Sequence, residues 1–377
     1  MFIRKNRFLL QVILVATLVV STASAGSRSQ AAQTAPARII YIANGTLGDK
    51  SFYDSAERGL QRADKELGTQ HKTIQLGFDP NKWEAGLDDA ISDEANYDIL
   101  ITGTYQMADF MTARADAHPT KKFIIFDTAV DYTKCKCANV YSLLYAQNES
   151  SYLGGLYAAA ELKLGKLPNA NGKLIIGTIG GLDIPVIEDF IVGYKQGAQA
   201  VDPAVQVLVD YVGGNGFGDP ATAKEKALSM YDQGANIIFQ IASASGQGVI
   251  EAGTERNLYV LGVDSDQALI VQDAHPDQAQ HILTSVLKNI DNSLFVSLQR
   301  DKAGTLPYGT TGNLGLVDGG VGLAYNDIYN KFTPDPVKAL VKQAQADIIS
   351  GKIKVNTVFG PEVSATAAAT MSATATK

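Results

Sequence analysis

Short apolar runs alternate with amphipathic runs along this chain from Arg38 onward. The first run, Arg38–Ala43, is apolar, rich in β-branched residues and followed by a turn signal, which predicts a buried strand. From Phe52 to Leu67 the apolar residues recur at helical spacing, and Gly68 follows as a stop signal. The chain therefore opens with a strand, a short turn and an amphipathic helix.

The turn between this strand and this helix contains an acidic and an aromatic residue, which a simple connection does not require. It spans Gly48–Phe52, and Ser51 is placed to cap the helix with Asp54 as its capping-box partner. An acidic side chain, Asp49, and the Phe52 ring thus follow the carboxyl end of a strand, where open α/β sheets bind their ligands. We expect this turn to form part of a binding site.

The same alternation continues in two successive series of similar size, as is typical of doubly wound parallel α/β sheets. Ten strands are predicted: Arg38–Ala43, Lys72–Leu76, Tyr97–Ile101, Lys122–Phe126, Asn139–Leu144, Lys173–Ile179, Val205–Val212, Asn236–Phe239, Leu258–Val263 and His281–Leu287. Helices are predicted between most of them: Lys82–Ile91, Tyr105–Ala117, Ser150–Leu164, Val186–Ala200, Pro220–Gln233 and Gly246–Thr254, followed by Asp291–Lys302 and Pro336–Ile349.

Two similar series imply two lobes. We expect residues 38–144 and 266–303 to form an N-terminal lobe, and residues 145–265 and 304–360 to form a C-terminal lobe. The elements after the second series are sufficient for the chain to cross back between the lobes. Residues 361–377 are rich in Ala, Thr and Ser and are expected to be a disordered tail.

Residues 1–25 resemble a signal peptide. A basic segment with Arg4, Lys5 and Arg7 precedes the apolar run Phe8–Val20 and a small-residue cleavage segment ending at Ala25. We therefore expect an extracytoplasmic location, in the periplasm or at the cell surface, with an uncleaved anchor as the alternative. No cysteine is available for lipid attachment at the cleavage segment.

The net charge of the chain argues against some classes of binding partner. Without the three basic residues of the signal segment, 29 basic residues face 39 acidic ones, a formal charge of −10. This balance argues against nucleic acid or an anionic membrane surface as the partner.

The chain has two cysteines, Cys135 and Cys137, separated by one residue. An extracytoplasmic location permits a disulfide, and a redox pair or half of a metal site are the functional alternatives. No histidine lies in the surrounding loop, which favours a structural or incidental role because metal sites need more ligands.

No catalytic pattern is present. The chain has no phosphate-binding loop ending in Gly-Lys-Ser/Thr, no Gly-x-Ser-x-Gly and no histidine pair at metal spacing, so we predict no catalytic residues, metal or cofactor. The glycine-dense segment Gly213–Gly218 lacks a dinucleotide fingerprint and is interpreted as a flexible connector.

Polar or aromatic segments follow several predicted strands in both series, and together they predict a ligand site between two lobes. They are Gly48–Phe52, Phe126–Asp127, Gly180–Phe190, Gln240–Gly248, Leu261–Asp266 and Thr284–Asn289. Each also has a local alternative. Asp49, Asp183 and Asp219 are suited to capping helices, Phe190 to the core, Asp264 and Asp266 to turns, and Lys288 to the surface.

These segments resemble the Bmp (basic membrane protein) family of ABC-transporter substrate-binding proteins, whose members include purine nucleoside receptors. The resemblance extends from about residue 38 to about residue 354 and rests on ordered motifs: Asp49–Phe52, Phe123–Asp127, Tyr152–Ala159, Gly180–Ile187 with Phe190, Tyr231–Gln240, Gly262–Gln267 and Leu283–Asn289. It implies a type I periplasmic-binding-protein fold, in which two doubly wound lobes are joined by a three-stranded hinge.

The resemblance also implies roles for individual residues. Phe52 and Phe190 would sandwich a base, Asp127 and Asp264 would accept hydrogen bonds from base or ribose, and Lys288 would donate to the sugar. Ser243 would lie beside the sugar and Asp49 at the base end of the cleft. Tyr53 stands where the family commonly has Asn, and Ser243 where it commonly has Gly, so the resemblance does not specify the base.

The function implied is that of an extracytoplasmic solute-binding protein that delivers a nucleoside-like ligand to an ABC permease and its ATPase. We expect a monomer whose lobes close on the ligand at the hinge. A receptor partner of a membrane signalling protein is the alternative from another class. A secreted nucleoside-processing enzyme is a third hypothesis, for which no nucleophile, metal site or acid–base pair is apparent.

Overall fold

The computed structural model describes residues 35–360, so the predicted signal segment 1–25 and tail 361–377 lie outside the described residues. Within 35–360 the chain forms two six-stranded sheets with helices on both faces, which confirms the predicted fold class. No helix in this range has the length and apolar character needed to cross a bilayer.

The first sheet is entirely parallel. Its strands are β1 (Arg38–Ala43), β2 (Gln70–Gln75), β3 (Ile99–Gly103), β4 (Lys122–Phe126), β5 (Val140–Tyr145) and β11 (Thr310–Leu314). They are arranged in the order β11-β5-β4-β3-β1-β2.

The second sheet repeats this plan, except that its last strand is antiparallel to its neighbour. Its strands are β6 (Ile175–Gly180), β7 (Gln206–Tyr211), β8 (Ile237–Ile241), β9 (Tyr259–Asp264), β10 (Ile282–Lys288) and β12 (Val321–Leu323). They are arranged in the order β12-β10-β9-β8-β6-β7.

Helices cover both faces of each sheet, which is why the central strands are almost continuously apolar. They are α1 (Phe52–Leu67), α2 (Trp83–Ser92), α3 (Ala108–Arg114), α4 (Gln147–Leu164), α5 (Pro185–Val201), α6 (Pro220–Asp232), α7 (Gly246–Arg256), α8 (Gln267–Val271), α9 (Pro276–Ala279), α10 (Ile290–Lys302), α11 (Asp327–Phe332) and α12 (Asp335–Ile349). In β1, Tyr41 belongs to the same core as Leu60 of α1, whereas Ile42 belongs to the core with Leu87 of α2.

Helices α4 and α5 pack unusually closely. A Cβ atom added at Gly155 would lie only 1.9 Å from the carbonyl oxygen of Tyr194, so only glycine permits this approach of the two backbones. Nearly all of α4 is buried, and its apolar residues accordingly surround the whole helix instead of forming a stripe.

The lobe boundaries differ from those expected. Strand β10 was expected in the N-terminal lobe (266–303) but pairs with β9 in the second sheet, and β11 was expected in the C-terminal lobe (304–360) but pairs with β5 in the first sheet. Only α10 of the segment 266–303 packs in the first lobe, against α1. Strands β11 and β12 lie in a glycine-rich stretch of low β propensity, where no strand was predicted.

The chain passes three times from one sheet to the other: after β5, after β10 and after β11. These connections lie side by side. The N–H of Ala146 donates to the carbonyl of Leu314 at 2.9 Å, and the N–H of Asn289 donates to that of Gly320 at 2.8 Å. The three connections form the hinge, and they lie on the side of β5 and β10.

Candidate ligand-binding site

The amino end of α1 is capped by Asp49, and the predicted cap by Ser51 is wrong. The Asp49 carboxylate accepts from the N–H groups of Ser51 at 3.1 Å, Tyr53 at 3.0 Å and Asp54 at 3.1 Å. Asp54 in turn accepts from the N–H of Lys50 at 2.8 Å. Because Asp49 satisfies these amides, the Ser51 hydroxyl is left to bond elsewhere.

A cavity of about 340 Å³ lies between the lobes, within the size range typical of small-molecule sites. Strand ends of both sheets supply its walls, as expected for open α/β sheets. Seven of the eight residues predicted for the site line this cavity: Phe52, Tyr53, Asp127, Phe190, Ser243, Asp264 and Lys288.

The aromatic walls come from both lobes. The Phe52 ring is stacked on Phe126, with 5.4 Å between ring centroids, and Phe190 is almost fully buried. The ammonium of Lys288 lies 4.8 Å from the Phe190 centroid and 5.9 Å from that of Phe52. Both predicted clamp rings thus line one cavity and lie within cation–π distance of one ammonium.

Two carboxylates flank this cation. Lys288 donates to Oδ1 of Asp127, and Ser51 donates to Oδ2 of Asp264 at 2.7 Å. Burial raises the pKa of Asp127, against the opposing effect of Lys288, and burial raises the pKa of Asp264 to about 6. The hydrogen bonds that these two carboxylates accept within residues 35–360 are made at Asp127 Oδ1 and Asp264 Oδ2, and the other oxygen of each is not engaged by them.

Three of these residues hold the left-handed backbone conformation at or just beyond strand ends. The φ angles are 63° at Asp127, 62° at Asp264 and 49° at Ser243. Aspartate tolerates this region better than most residues, and serine less so. Such positions are typical of functional sites, where the surrounding structure imposes the conformation.

Asp49 does not line the cavity. It lies behind Ser243, whose hydroxyl donates to Asp49 Oδ2 at 2.7 Å, so the two lobes meet at this pair. Burial raises the pKa of Asp49, and the hydrogen bonds from Ser243 and from the α1 backbone act in the opposite direction.

Tyr53 lines the cavity, and its hydroxyl is bonded within the first lobe. The hydroxyl donates to the carbonyl of Asn44 at 3.1 Å, and the ring packs edge-on against Phe78 with 6.2 Å between centroids. The site therefore has an aromatic surface where the family commonly has an amide.

The structure shows some of the capping, core and surface roles that were considered as alternatives to a role in the site, and not others. Asp219 does cap α6, accepting from the N–H of Thr222 at 3.0 Å, and Asp266 caps α8. Lys288 is not a surface residue, since it is only 1% exposed. Phe190 is both a core residue and a wall of the cavity.

The sequence reasoning missed a second part of the cavity wall. It consists of aromatic residues that follow other strands: Phe78, Trp83, Tyr105 and Phe217. Leu182 and Ile184, which lie within the predicted segment Gly180–Phe190, line the cavity as well. The segment Gly213–Gly218, interpreted as a flexible connector, also contributes four lining residues, from Gly214 to Phe217. Ligands bind at the carboxyl ends of the strands in open α/β sheets, so the segments that follow β2, β3 and β7 were also candidates for the site.

The sheet order separates the two parts of the cavity. Asp127 follows β4, and Asp264 and Lys288 are the last residues of β9 and β10, close to the hinge side. Phe78 and Phe217 instead follow the edge strands β2 and β7. The ionic cluster thus lies toward the hinge with Phe52 and Phe190 beside it, and a further aromatic group with Phe78 and Phe217 lies toward the opposite edge of both sheets. A ligand with a polar end and a flat apolar end fits this division.

Cys135 and Cys137 form a disulfide, which answers the alternative left open by their spacing. Cys137 is buried, and its N–H donates to Asp116 at 2.8 Å. Within residues 35–360, no group of three or more His, Cys, Asp or Glu side chains is arranged to hold a metal ion.

A family model described as "ABC transporter substrate-binding protein PnrA-like" (Bmp) matches residues 37–357. This chain belongs to the Bmp family. The resemblance read from the sequence motifs is thereby confirmed.

Two curated relatives are similar to this chain over most of their length. The ABC transporter nucleoside-binding protein BmpA of Lactococcus lactis subsp. cremoris is 31% identical over 85% of this chain and 88% of its own. The CD4+ T-cell-stimulating antigen of Listeria innocua is 30% identical over 82% of this chain and 85% of its own.

Solved structures carry the same fold. An ABC transporter solute-binding protein from Aeropyrum pernix K1 superposes with a TM-score of 0.75 at 25% identity, over 87% of this chain and 95% of that one. One from Conexibacter woesei, at 21% identity and a TM-score of 0.65, covers 86% of this chain and 100% of that one and shows the fold alone. The Bmp family model, the Lactococcus relative and the Aeropyrum structure are all substrate-binding proteins and not enzymes, which argues against the hypothesis of a nucleoside-processing enzyme.

Proposed function

We propose that this protein binds a nucleoside-like ligand, with a purine nucleoside as the first candidate, by closure of two lobes at the hinge. One observation carries the proposal: two aromatic rings from opposite lobes, Phe52 and Phe190, line one cavity with the cluster Lys288, Asp127 and Asp264. Aromatic rings bind a flat base, and buried carboxylates accept hydrogen bonds from ribose hydroxyls. The similarity to the nucleoside-binding protein BmpA of Lactococcus lactis supports the same ligand class.

Titration calorimetry of the protein without its first 25 residues tests this proposal. Inosine, adenosine and guanosine are compared with free ribose and with an aromatic compound that has no sugar. We expect binding of at least one nucleoside and much weaker binding of either half alone, because the two parts of the cavity serve different parts of the ligand. Binding of ribose as tight as that of the nucleosides would contradict the proposal.

Variants of two lining residues test the assignment of the binding site by the same calorimetry. Phe52→Ala and Asp264→Asn should each weaken binding by about tenfold to a hundredfold, the range expected for a buried aromatic wall or a charge-assisted hydrogen bond. Phe110→Ala is the matched control, since this phenylalanine of α3 does not line the cavity. If Phe52→Ala and Asp264→Asn leave the affinity of a bound nucleoside unchanged, the site assignment is wrong.

The ligand would be passed to an ABC permease and its ATPase, the partners expected for an ABC transporter substrate-binding protein. We propose an extracytoplasmic location, supported by the signal-like pattern of residues 1–25 and by the Cys135–Cys137 disulfide. Mass spectrometry of the protein from its native membrane and extracytoplasmic fractions distinguishes a cleaved amino terminus from a retained anchor. Recovery of the full-length chain from the cytoplasm alone would contradict export.

A further inference from the structure

Two serine–aspartate hydrogen bonds cross the cleft in opposite directions. Ser243 of the second lobe donates to Asp49 of the first, and Ser51 of the first lobe donates to Asp264 of the second, each at 2.7 Å. All four residues are buried. We propose that these pairs hold the lobes closed before a ligand arrives, and that Asp49 and Ser51 are positioning residues that set the affinity without touching the ligand.

Asp49 is held in place by its own lobe. Three N–H groups at the amino end of α1 fix its carboxylate, and the positive end of the helix dipole stabilises its charge. When the lobes separate, these three hydrogen bonds remain and only the bond from Ser243 is lost. Asp49 is therefore a preorganised acceptor whose fourth bond exists only in the closed form.

Ser51 makes the reciprocal contact. Because Asp49 caps α1, the Ser51 hydroxyl is free to reach Asp264 across the cleft, and its carbonyl accepts from the hydroxyl of Ser265 at 3.0 Å. Arg58 of α1 donates to the same Ser265 hydroxyl at 2.8 Å. These contacts join the first turns of α1 to the β9–α8 connection of the second lobe at several points.

The fraction of protein in the closed form sets the apparent affinity for a ligand that binds only that form. The apparent dissociation constant of a ligand that binds only the closed form is its intrinsic constant divided by the fraction of protein that is closed. Interactions that raise this fraction tighten binding without adding a ligand contact. Neither Asp49 nor Ser51 lines the cavity, so they act on affinity through closure or through the lining residues that they contact, Ser243 and Asp264. A measurement of closure without ligand separates the two routes.

The decisive measurement needs no ligand, so it does not depend on the nucleoside assignment. Spin labels are placed at the exposed positions Lys82 of the first lobe and Glu225 of the second, as Lys82→Cys and Glu225→Cys. Double electron–electron resonance then gives the distribution of the distance between the lobes. We expect a dominant short distance in the unliganded protein, and a shift to a longer one in Ser51→Ala and Ser243→Ala.

Ser245→Ala is the matched control. Its hydroxyl lies in the same loop as Ser243 and is buried, but it accepts from the N–H of Asp219 within the second lobe, at 2.7 Å. It should leave the distance between the lobes unchanged. If Ser243→Ala fails to fold, Ser243→Gly replaces it, because glycine suits the backbone φ of 49° and also lacks the hydroxyl.

Calorimetry with a nucleoside that binds completes the test. Ser51→Ala should raise its dissociation constant by about tenfold, the effect of losing one charge-assisted hydrogen bond that is made only in the closed form. The proposal is overturned if the distance distributions of the unliganded protein, Ser51→Ala and Ser243→Ala coincide. Absence of nucleoside binding would defeat the proposed function alone, since the distance measurement would still stand.

Discussion

Lys288 and Asp127 form an ion pair across the cleft, from the end of β10 in one sheet to the end of β4 in the other. Their side chains are 2% and 8% exposed, so both charges are almost fully removed from water. Asp264 also interacts electrostatically with the Lys288 ammonium, so one amine balances the charge of two carboxylates. Desolvation makes such a cluster costly unless all of its members are present.

Lys288→Met should therefore lower the free energy of unfolding by about 3–5 kcal/mol at neutral pH, the cost of leaving a buried partner charge unpaired. It should also abolish ligand binding. Urea unfolding and calorimetry measure the two effects. Lys122→Met is the control, because the Lys122–Asp301 pair is half-exposed at the lysine and should contribute about 1 kcal/mol or less. Equal losses in the two variants would contradict the buried-pair interpretation.

Ligand affinity should fall as the pH falls through about 6. Burial raises the pKa of Asp264 to about 6, and a ligand hydroxyl that donates to Asp264 binds the ionised form. Above this pH the carboxylate is charged and affinity is constant. Below it, protonation must be reversed on binding, and affinity falls toward tenfold per pH unit.

Calorimetry between pH 5 and pH 8 measures this dependence. The pKa of Asp127 and that of Asp49 are also raised, so Asp264→Asn is needed to assign the effect. This variant should bind weakly at every pH and lose the step near pH 6. A step that persists in Asp264→Asn would assign the titration to another group.

Gly45 makes room for Tyr53. A Cβ atom at residue 45 would lie 2.2 Å from Cε2 of the Tyr53 ring, and the hydroxyl of that ring is bonded to Asn44. Gly45→Ala should therefore cost about 1–3 kcal/mol of stability, the usual penalty of overpacking. Gly322→Ala is the matched control, because nothing lies within 4 Å of the added atom.

A double-mutant cycle tests the cause of this penalty. Gly45→Ala should cost much less in a Tyr53→Ala background, since the clashing ring is then absent. Unfolding curves of the four proteins give the coupling energy. Equal costs in both backgrounds would show that the backbone of residue 45, and not the Tyr53 ring, requires glycine.

Glu161 of α4 is buried and, within residues 35–360, neither of its carboxyl oxygens has a hydrogen-bond partner. Burial raises its pKa from 4.5 to about 8. A raised carboxyl pKa gives stability that is complete below the unfolded value and is lost as the pH rises toward the folded one. Glu161 should thus destabilise the protein progressively between about pH 4.5 and pH 8.

Glu161→Gln should remove this loss and raise stability at pH 8 by about 1–3 kcal/mol, with little effect at pH 4.5. Thermal unfolding across this pH range measures the difference. Glu225→Gln on exposed α6 should leave the profile unchanged. A constant difference between Glu161→Gln and the unmodified protein at all pH values would exclude ionisation of Glu161 as the cause.

The periodicity of the sequence was sufficient for the fold class and for ten of the strands, because buried parallel strands and amphipathic helices have distinct local patterns. It failed for Thr310–Leu314 and Val321–Leu323, whose glycine-rich sequence becomes strand only because a neighbouring strand edge is available. The lobe membership of β10 likewise depends on its pairing with β9, a long-range contact without a local signal.

For the site, the sequence alone determined which residue types follow the strand ends, and motif resemblance suggested which of them face a ligand. Only the tertiary structure decided which contacts they make. Asp49 reaches the Ser243 hydroxyl and Ser51 reaches Asp264 because two lobes distant in sequence meet there. Capping preferences are local and can be read from a chain, whereas hydrogen bonds across a cleft depend on how the two lobes close on each other.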